Sequence, residues 1–377
     1  MACSIKKITI VGVGLIGGSI AAACKALDNA PTVYGIDMDK DSLEGAKKSG
    51  ALDEIATPDA KQTDEWLSKG GCDLVILAIP VDAAKPWFER LQKNNFDGII
   101  TDTASTKAKI TETAASILKD QTHYVPGHPM AGSEVSGFGA ARSDLFQGAY
   151  WILCPDDETD NDSFLALHSL FSQLGARIIS IDRNAHDSAV AIVSHVPHMV
   201  ASSLVELAGA HADERKELLR LAAGGFKDTT RIAAGSPKLW CGIAMDNRKA
   251  LADGLHELGE ILSSFETAVR ENDRETLTKL LSTSAELRKS LPAQWVPVSA
   301  KLTQVRIPMG NRPGIIAQVT GMAGHAGCNI QSIEIDHISE ASAVLELILT
   351  DEGDIGRLGG ELITAGFDFS IRNLGEE

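Results

Sequence analysis

One histidine in this 377-residue chain is held between rigid backbone punctuators, in the run Gly127-His128-Pro129-Met130-Ala131-Gly132-Ser133-Glu134. Flanked in this way, its side chain cannot drift into a core. A neutral imidazole there can take the proton of a hydroxyl while a hydride leaves the carbon that bears it. That chemistry needs a hydride acceptor, and Gly12-Val13-Gly14-Leu15-Ile16-Gly17 marks a place for one. The glycine run directly follows the apolar strand Ile8-Val11 and opens an apolar helix, the context that gives a dinucleotide fingerprint its meaning.

In that fingerprint Gly12 permits the tight turn, Gly14 lets the backbone approach a pyrophosphate, and Gly17 allows close helix-sheet packing, with Leu15 and Ile16 starting the helix whose N-terminus faces the phosphates. The next strand, Thr32-Ile36, ends in Asp37, about twenty residues after Gly17, where an acid accepts hydrogen bonds from ribose hydroxyls. Asp37 and Asp39 together oppose a 2′-phosphate, so the cofactor expected is NAD rather than NADP. Pro80 closes the strand Leu74-Ile79 at the carboxyl edge, where ligands bind in such sheets.

Further polar groups sit where they could meet a substrate. Asp102-Thr103-Ala104-Ser105-Thr106-Lys107 leads from the strand Gly98-Asp102 into a helix, and Ser105 either caps that helix or faces the site. Ser194 and His198 share one helical face at i, i+4, with Pro197 expected to start or kink the helix. No carboxylate or thiolate stands at ligand spacing beside His195 and His198, so no metal is expected. Arg231 follows a glycine break and a basic, hydroxyl-rich turn; it reads as a bidentate carboxylate ligand or as a surface ion pair.

These residues need a scaffold. Apolar strand runs alternate with helical stretches up to about residue 180 (Ile8-Val13, Thr32-Ile36, Leu74-Ile79, Gly98-Asp102, His123-Val125, Tyr150-Cys154, Arg177-Ile181), which implies a mostly parallel sheet covered on both faces. From Ala185 to Leu291 the pattern turns wholly helical, in segments such as Val200-Ala208, Glu214-Ala222 and Ala250-Ala268. A helical region this apolar forms either a subunit interface or its own core. Pro292, Trp295 and Pro297 mark a connector. A third domain follows, reading strand Leu302-Pro308, helix Gly314-Ala323, strands Asn329-Asp336 and Ala343-Leu349, helix Ile355-Ala365 and strand Phe367-Arg372, the βαββαβ order of a ferredoxin-like fold. The fold class expected is thus an α/β Rossmann-type domain (1–182), an all-α domain (183–292), a linker (293–301) and a small α+β domain (302–377).

Composition narrows the function. A net charge of −16 argues against nucleic-acid binding and requires a local positive pocket for any anionic substrate. The six cysteines are scattered without a Cys-x-x-Cys, which suits reduced thiols and a cytoplasmic location. Lys6-Lys7 before an apolar stretch imitates a secretory signal, but the glycines at 12, 14, 17 and 18 fit strand-turn-helix better, and no membrane span is expected.

Taken in order, Gly12 to Ser19, Asp102 to Lys107, Gly127 to Gly137, Ser194 to His198 and the stretch through Arg231 to Trp240 resemble the prephenate dehydrogenases of tyrosine biosynthesis, over residues 1 to about 290. The resemblance implies NAD-dependent oxidative decarboxylation of prephenate to 4-hydroxyphenylpyruvate. It makes His128 the acceptor for the ring hydroxyl, with Ser105 orienting His128 and the nicotinamide. Ser194 and His198 would contact substrate, Arg231 would bind a carboxylate, and the helical domain would make a homodimer. The last domain resembles an ACT domain, implying feedback by tyrosine bound near Asn311, Arg312, Gly314, Ile315, Asn329 and Ile330, with Asn311 standing where many relatives carry aspartate. Arogenate dehydrogenase is the nearest alternative. A non-catalytic NAD- and amino-acid-sensing regulator is the alternative of another class, although no helix-turn-helix or basic face offers an output. A 3-hydroxyacid dehydrogenase would need a catalytic lysine, and no motif recommends Lys227 or Lys249.

Overall fold

The computed structural model describes residues 5–133, 135, 137–212, 223–290, 303–310, 315–337, 342–350 and 353–373. By backbone contacts the chain divides into two compact units, Met1–Leu262 and Ser263–Glu377.

The first unit is built on strands β1 (Lys7–Val11), β2 (Thr32–Ile36), β3 (Glu54–Ala56), β4 (Leu74–Leu77), β5 (Ile99–Asp102) and β6 (Tyr124–Val125). They form one six-stranded sheet in the order β3-β2-β1-β4-β5-β6, with every pair parallel. Both faces are covered, which is why β4 and β5 are apolar or sealed at every position rather than alternating. One apolar cluster gathers Ile8, Ile10, Ile20 and Trp151, and the other gathers Val11, Val75, Leu77 and Phe88. The strand order reverses between β1 and β4, so a crevice opens beyond their carboxyl ends, the place where such sheets receive a dinucleotide.

A second sheet, not foreseen as separate, carries the histidine. It comprises β7 (Gly127–Pro129), β8 (Tyr150–Leu153) and β9 (Arg177–Ser180), with β7 antiparallel to β8 and β8 parallel to β9. His128 therefore lies within a strand, opposite Ile152, and not in a loop after β6. Gly127 makes this possible: a Cβ there would stand 2.8 Å from the Asp102 carbonyl oxygen and 3.2 Å from Trp151 Nε1. Beneath β7, Trp151 is fully buried and stacks on Phe171 with ring centroids 3.7 Å apart. Beyond β7 the chain returns over the first sheet's helices, where Phe138 lies against Gly18 and Gly45 and the Arg142 N–H donates to Ser19 Oγ.

The helical part of this unit begins at Arg183–Val190, widens into a π-helical turn over Ala191–His195 and continues as Val196–Ala212. Pro197 neither starts nor stops it. A proline removes an N–H and crowds the preceding turn, and the π turn immediately before it relieves both demands without ending the helix. By length and composition alone the 29 residues Arg183–His211 would pass for a membrane span. Their buried polar residues His186, Asp187, His195 and His198 instead make contacts within the protein. Exposed Ile192, Val193, Val205 and Leu207 leave the helix an apolar outer surface. Helices Pro237–Asp246 and Arg248–Arg270 follow; the run Glu214-Ala222 lies outside the described residues.

The second unit contains helix Arg274–Ser290 and then strand β10 (Thr303–Gly310), helix Ile315–His325, strands β11 (Ile330–His337) and β12 (Ser342–Leu349), helix Ile355–Thr364 and strand β13 (Ser370–Asn373). These strands form an antiparallel sheet in the order β11-β12-β10-β13. Residues of β10 alternate between buried and exposed, placing Val305, Ile307 and Met309 on the core side with Leu345, Leu347 and Leu358. The connector at 293–301 lies outside the described residues.

Replacing the Trp151 stack by a cavity should destabilise the first unit by about 3–5 kcal/mol. Urea denaturation of Trp151→Ala followed by circular dichroism checks this; a loss below about 1 kcal/mol would mean that the stack does not hold β8 in place.

Candidate functional site

The crevice at the switch point has the features of a dinucleotide cradle. Gly12 adopts φ +94°, a left-handed conformation suited to glycine, and a Cβ on it would meet the Ala78 carbonyl oxygen at 2.3 Å, so the turn can lie against the end of β4 only as glycine. Gly14 caps helix Leu15–Lys25, and a Cβ there would have nothing within 4 Å, which leaves open space before the first helical N–H groups. Asp37 is half-buried; one carboxylate oxygen accepts from the Val13 N–H at 2.6 Å and the other from the Asp39 N–H at 2.8 Å. Asp37 thus pins the glycine turn, while Asp39, capping the next helix through the Asp41 N–H, sets a second negative charge nearby. Pro80 is exposed at the end of β4. The open face at Gly14, the helix N-terminus and the Asp37 carboxylate suit NAD, and the carboxylate pair opposes an added phosphate.

Next to the crevice, the ends of β5, β6 and β7 are tied by one buried ion pair. Lys107 and Asp102 are fully buried and bonded Nζ to Oδ1; the same ammonium donates to the Gly127 carbonyl, and Tyr124 Oη donates to Asp102 Oδ2 at 2.9 Å. Burial and the Asp102 charge push the Tyr124 hydroxyl well above its usual range, so it stays a neutral donor. A buried pair of this kind persists because its remaining protons and lone pairs are also satisfied. Its effect here is to fix β7, and with it His128, against the end of β5.

His128 is 7% exposed. Its Nδ1 lies 2.8 Å from His186 Nε2, and His186 Nδ1 lies 2.8 Å from Asp187 Oδ1. The Asp187 carboxylate also accepts the N–H groups of Lys107 and Ala108 at 2.8 and 2.9 Å, satisfying the start of helix Ala108–Ile117. Burial would raise the Asp187 carboxyl, but His186 and those two N–H groups outweigh it and hold it below the usual value. His128 is held well below the ordinary histidine value by burial and by the fields of His186, Lys107 and His195. Both effects favour a neutral imidazole facing an ionised carboxylate across a second ring.

The network continues into the helices. Asn247 Nδ2 donates to the Asp187 carbonyl at 2.7 Å and lies 3.3 Å from His195 Nδ1. His195 is lowered to about 4, chiefly by burial. His198 stacks on Trp240 with centroids 3.5 Å apart, and its buried Nδ1 has no hydrogen-bond partner among the described residues. A polar atom left so is costly unless a ligand satisfies it.

Not every residue singled out from sequence joins this network. Ser105 is half-buried on the turn after β5 and makes no hydrogen bond to His128; the ring is oriented by His186 instead. Ser194 is half-buried within the π turn, and Arg231 is exposed at the start of the short Arg231–Ala234 helix, packed beside Val196–Ala212. In the second unit Ile315 is a core residue, Ile330 packs against that core, and Asn329 is exposed with its carbonyl accepting the Thr350 N–H. Asn311, Arg312, Gly314 and Glu134 lie outside the described residues.

Sequence reasoning missed His186, Asp187 and Asn247. His186-Asp187 lies in the second turn of a helix that begins where strand signals stop, and a polar pair there reads as ordinary helix chemistry. The available signal was two titratable residues adjacent at that boundary in a chain whose proposed base needed a partner.

Comparison with known proteins adds independent findings. Residues 20–180 match the family model of the prephenate dehydrogenase nucleotide-binding domain, and residues 182–283 that of the prephenate dehydrogenase dimerization domain. The prephenate dehydrogenase of Bacillus subtilis is 31% identical over 351 residues, 92% of this chain and 93% of that protein. The cyclohexadienyl dehydrogenase of Zymomonas mobilis is 32% identical over 291 residues, 76% of this chain and 96% of that one. The crystal structure of the A. aeolicus prephenate dehydrogenase with hydroxyphenyl propionate and NAD+ aligns at a TM-score of 0.71 and 27% identity, covering 77% of this chain and 100% of that chain. The Synechocystis arogenate dehydrogenase aligns at 0.63 and 28%, covering 75% and 99%.

Because His195 titrates lower in the folded chain than in the unfolded one, near 6.5, the unfolded state binds more protons between those values. Stability from this group is complete above 6.5 and is lost as pH falls toward about 4. Thermal stability should therefore fall as pH drops through that window, and His195→Gln should flatten the slope; an unchanged slope would contradict the assignment.

Proposed function

Since this chain belongs to the prephenate dehydrogenase family and is an NAD-dependent oxidoreductase, we propose that its substrate is prephenate, oxidised and decarboxylated to 4-hydroxyphenylpyruvate. The observation that carries the reading is His128, neutral and oriented from behind, on the strand tied to β5 beside the dinucleotide crevice.

When bound, NAD+ supplies the hydride acceptor. Gly12, Gly14, Leu15, Ile16 and Gly17 with Asp37 hold it, and Pro80 and Ser105 line the same sheet edge. His128 accepts the hydroxyl proton as the ring carbon becomes a carbonyl carbon. The ring carboxylate leaves as CO2, and aromatisation makes the step effectively irreversible. His198 and Ser194, one helical turn before it, contact the substrate from the helical part, and Arg231 pairs with a substrate carboxylate in the fork geometry that favours arginine over lysine.

We further read the apolar outer surface of the 183–211 helix as a homodimer interface, in keeping with the description of the matched model. The β-α-β-β-α-β portion of the second unit is read as an ACT domain that binds tyrosine near the start of helix Ile315–His325.

Steady-state assays of prephenate and arogenate with NAD+ and NADP+, with and without tyrosine, test the whole reading. Prephenate with NAD+ should give the highest kcat/KM, tyrosine should lower the rate, and His128→Asn should cost about 10²–10⁴-fold in kcat. The acid limb of kcat/KM should lie below the ordinary histidine range, because a base with a depressed value stays neutral to lower pH. Preference for arogenate would reassign the substrate; NAD+ binding without turnover of either would make the chain a sensor.

A further inference from the structure

The base in the proposed reaction has two ring nitrogens, and its usefulness depends on which one carries a proton. Asp187 accepts two backbone N–H groups, those of Lys107 and Ala108, so its carboxylate acts as an acceptor. His186 must then present Nδ1–H to Asp187, which leaves the lone pair of a neutral His186 on Nε2. His128 Nδ1, 2.8 Å away, must donate to that lone pair, and the bare nitrogen of neutral His128 is Nε2. Nε2 has no partner among the described residues. Each hydrogen bond in this series fixes the next.

From this geometry, and resting on the substrate reading above, we propose that His186 and Asp187 are positioning residues for proton abstraction. They hold His128 as the Nδ1–H tautomer, so that Nε2 is the proton-accepting atom, and they stabilise the positive charge that forms on it. In the step, the substrate O–H bond breaks and an N–H bond forms at His128 Nε2. The Nδ1–H of His128 stays in place, shared with His186, and the new charge faces Asp187 across one ring. The arrangement resembles a serine-protease dyad in logic, with a second imidazole inserted between base and carboxylate. The insertion lets a carboxylate that caps one helix act on a base in a different sheet.

The groups around His128 agree with this role. Lys107 on one side is already paired with Asp102, and His195 and His198 are lowered mainly by burial. Tyr124 and Cys154 are raised and remain neutral, Cys154 to about 12. Apart from Asp102, bound by its own lysine, Asp187 is the carboxylate that the hydrogen bonds connect to the base.

Three full-length variants, His186→Leu, His186→Gln and Asp187→Asn, test the proposal with prephenate and NAD+ and with 15N-histidine NMR of the ring nitrogens. His186→Leu should lower kcat about 100-fold, with KM for prephenate changed less than about threefold, and should move His128 toward the Nε2–H tautomer. His186→Gln, whose amide oxygen can still accept from Nδ1–H, should restore the tautomer and part of the rate. Asp187→Asn should move the acid limb of the pH profile to lower pH, since removing the anion makes protonated His128 harder to form. Unchanged rates overturn the proposal. So does a loss of rate and thermal stability together with wild-type tautomer and pH profile, because that is the result of a purely structural role. A wild-type chain that fails to turn over prephenate overturns the substrate reading alone; the tautomer shift in His186→Leu still decides the role of the pair.

Discussion

A buried carboxylate that must be satisfied organises this site. Asp187 is 6% exposed, and a charge so placed is tolerable only when donors surround it. Its donors come from two directions: the N–H groups opening helix Ala108–Ile117, which belongs to the nucleotide-binding sheet, and the imidazole of its own neighbour His186. Its backbone carbonyl takes a fourth bond, from Asn247 in the helical part. Satisfying one charge therefore joins the loop after β5 to the 183–212 helix and aims His186 at His128. The contact between His186 and His128 thus follows from a demand of solvation.

The rest of the first unit repeats this economy. Asp37 accepts from the glycine turn, so the residue suited to reading a ribose also shapes the loop suited to the pyrophosphate. Lys107 neutralises Asp102 and grips Gly127, so the ion pair that secures the sheet edge also places the histidine strand. Both are buried or half-buried hydrogen-bonded arrangements in which removing one partner leaves the other costly. The site is thus firmly bonded where His128 and the glycine turn are held, whereas Arg231 and Pro80 are exposed at its margins.

Much of this was legible in the sequence, and the reason differs by element. Thr32–Ile36 is bounded where its apolar run predicts, and β1, β4, β5 and β8 differ from theirs by a residue or two, because strands buried on both faces leave continuous runs. Gly12 was legible because a left-handed turn at a strand end selects glycine. The strand β7 was not, since Gly127 and Pro129 read as loop punctuation; they are tolerated in a short three-residue strand that Gly127 lets lie close to β5. Pro197 suggested a helix start or kink, yet a π turn absorbs it. Above all, the His128–His186 bond spans 58 residues, and no local pattern records a pairing at that distance. Ser105, expected to orient His128, makes no hydrogen bond to it, and the ring's partner is His186 on a helix that begins after the last strand signal.

The most direct measurement of this account is a double-mutant cycle on kcat/KM for prephenate, using His128→Asn, Asp187→Asn and the pair. If Asp187 works through His128, removing the carboxylate should cost little once the base is gone, and the double variant should be about as slow as His128→Asn alone. If the two losses multiply, Asp187 supports the enzyme independently of the base, and the carboxylate is not the organising element described here.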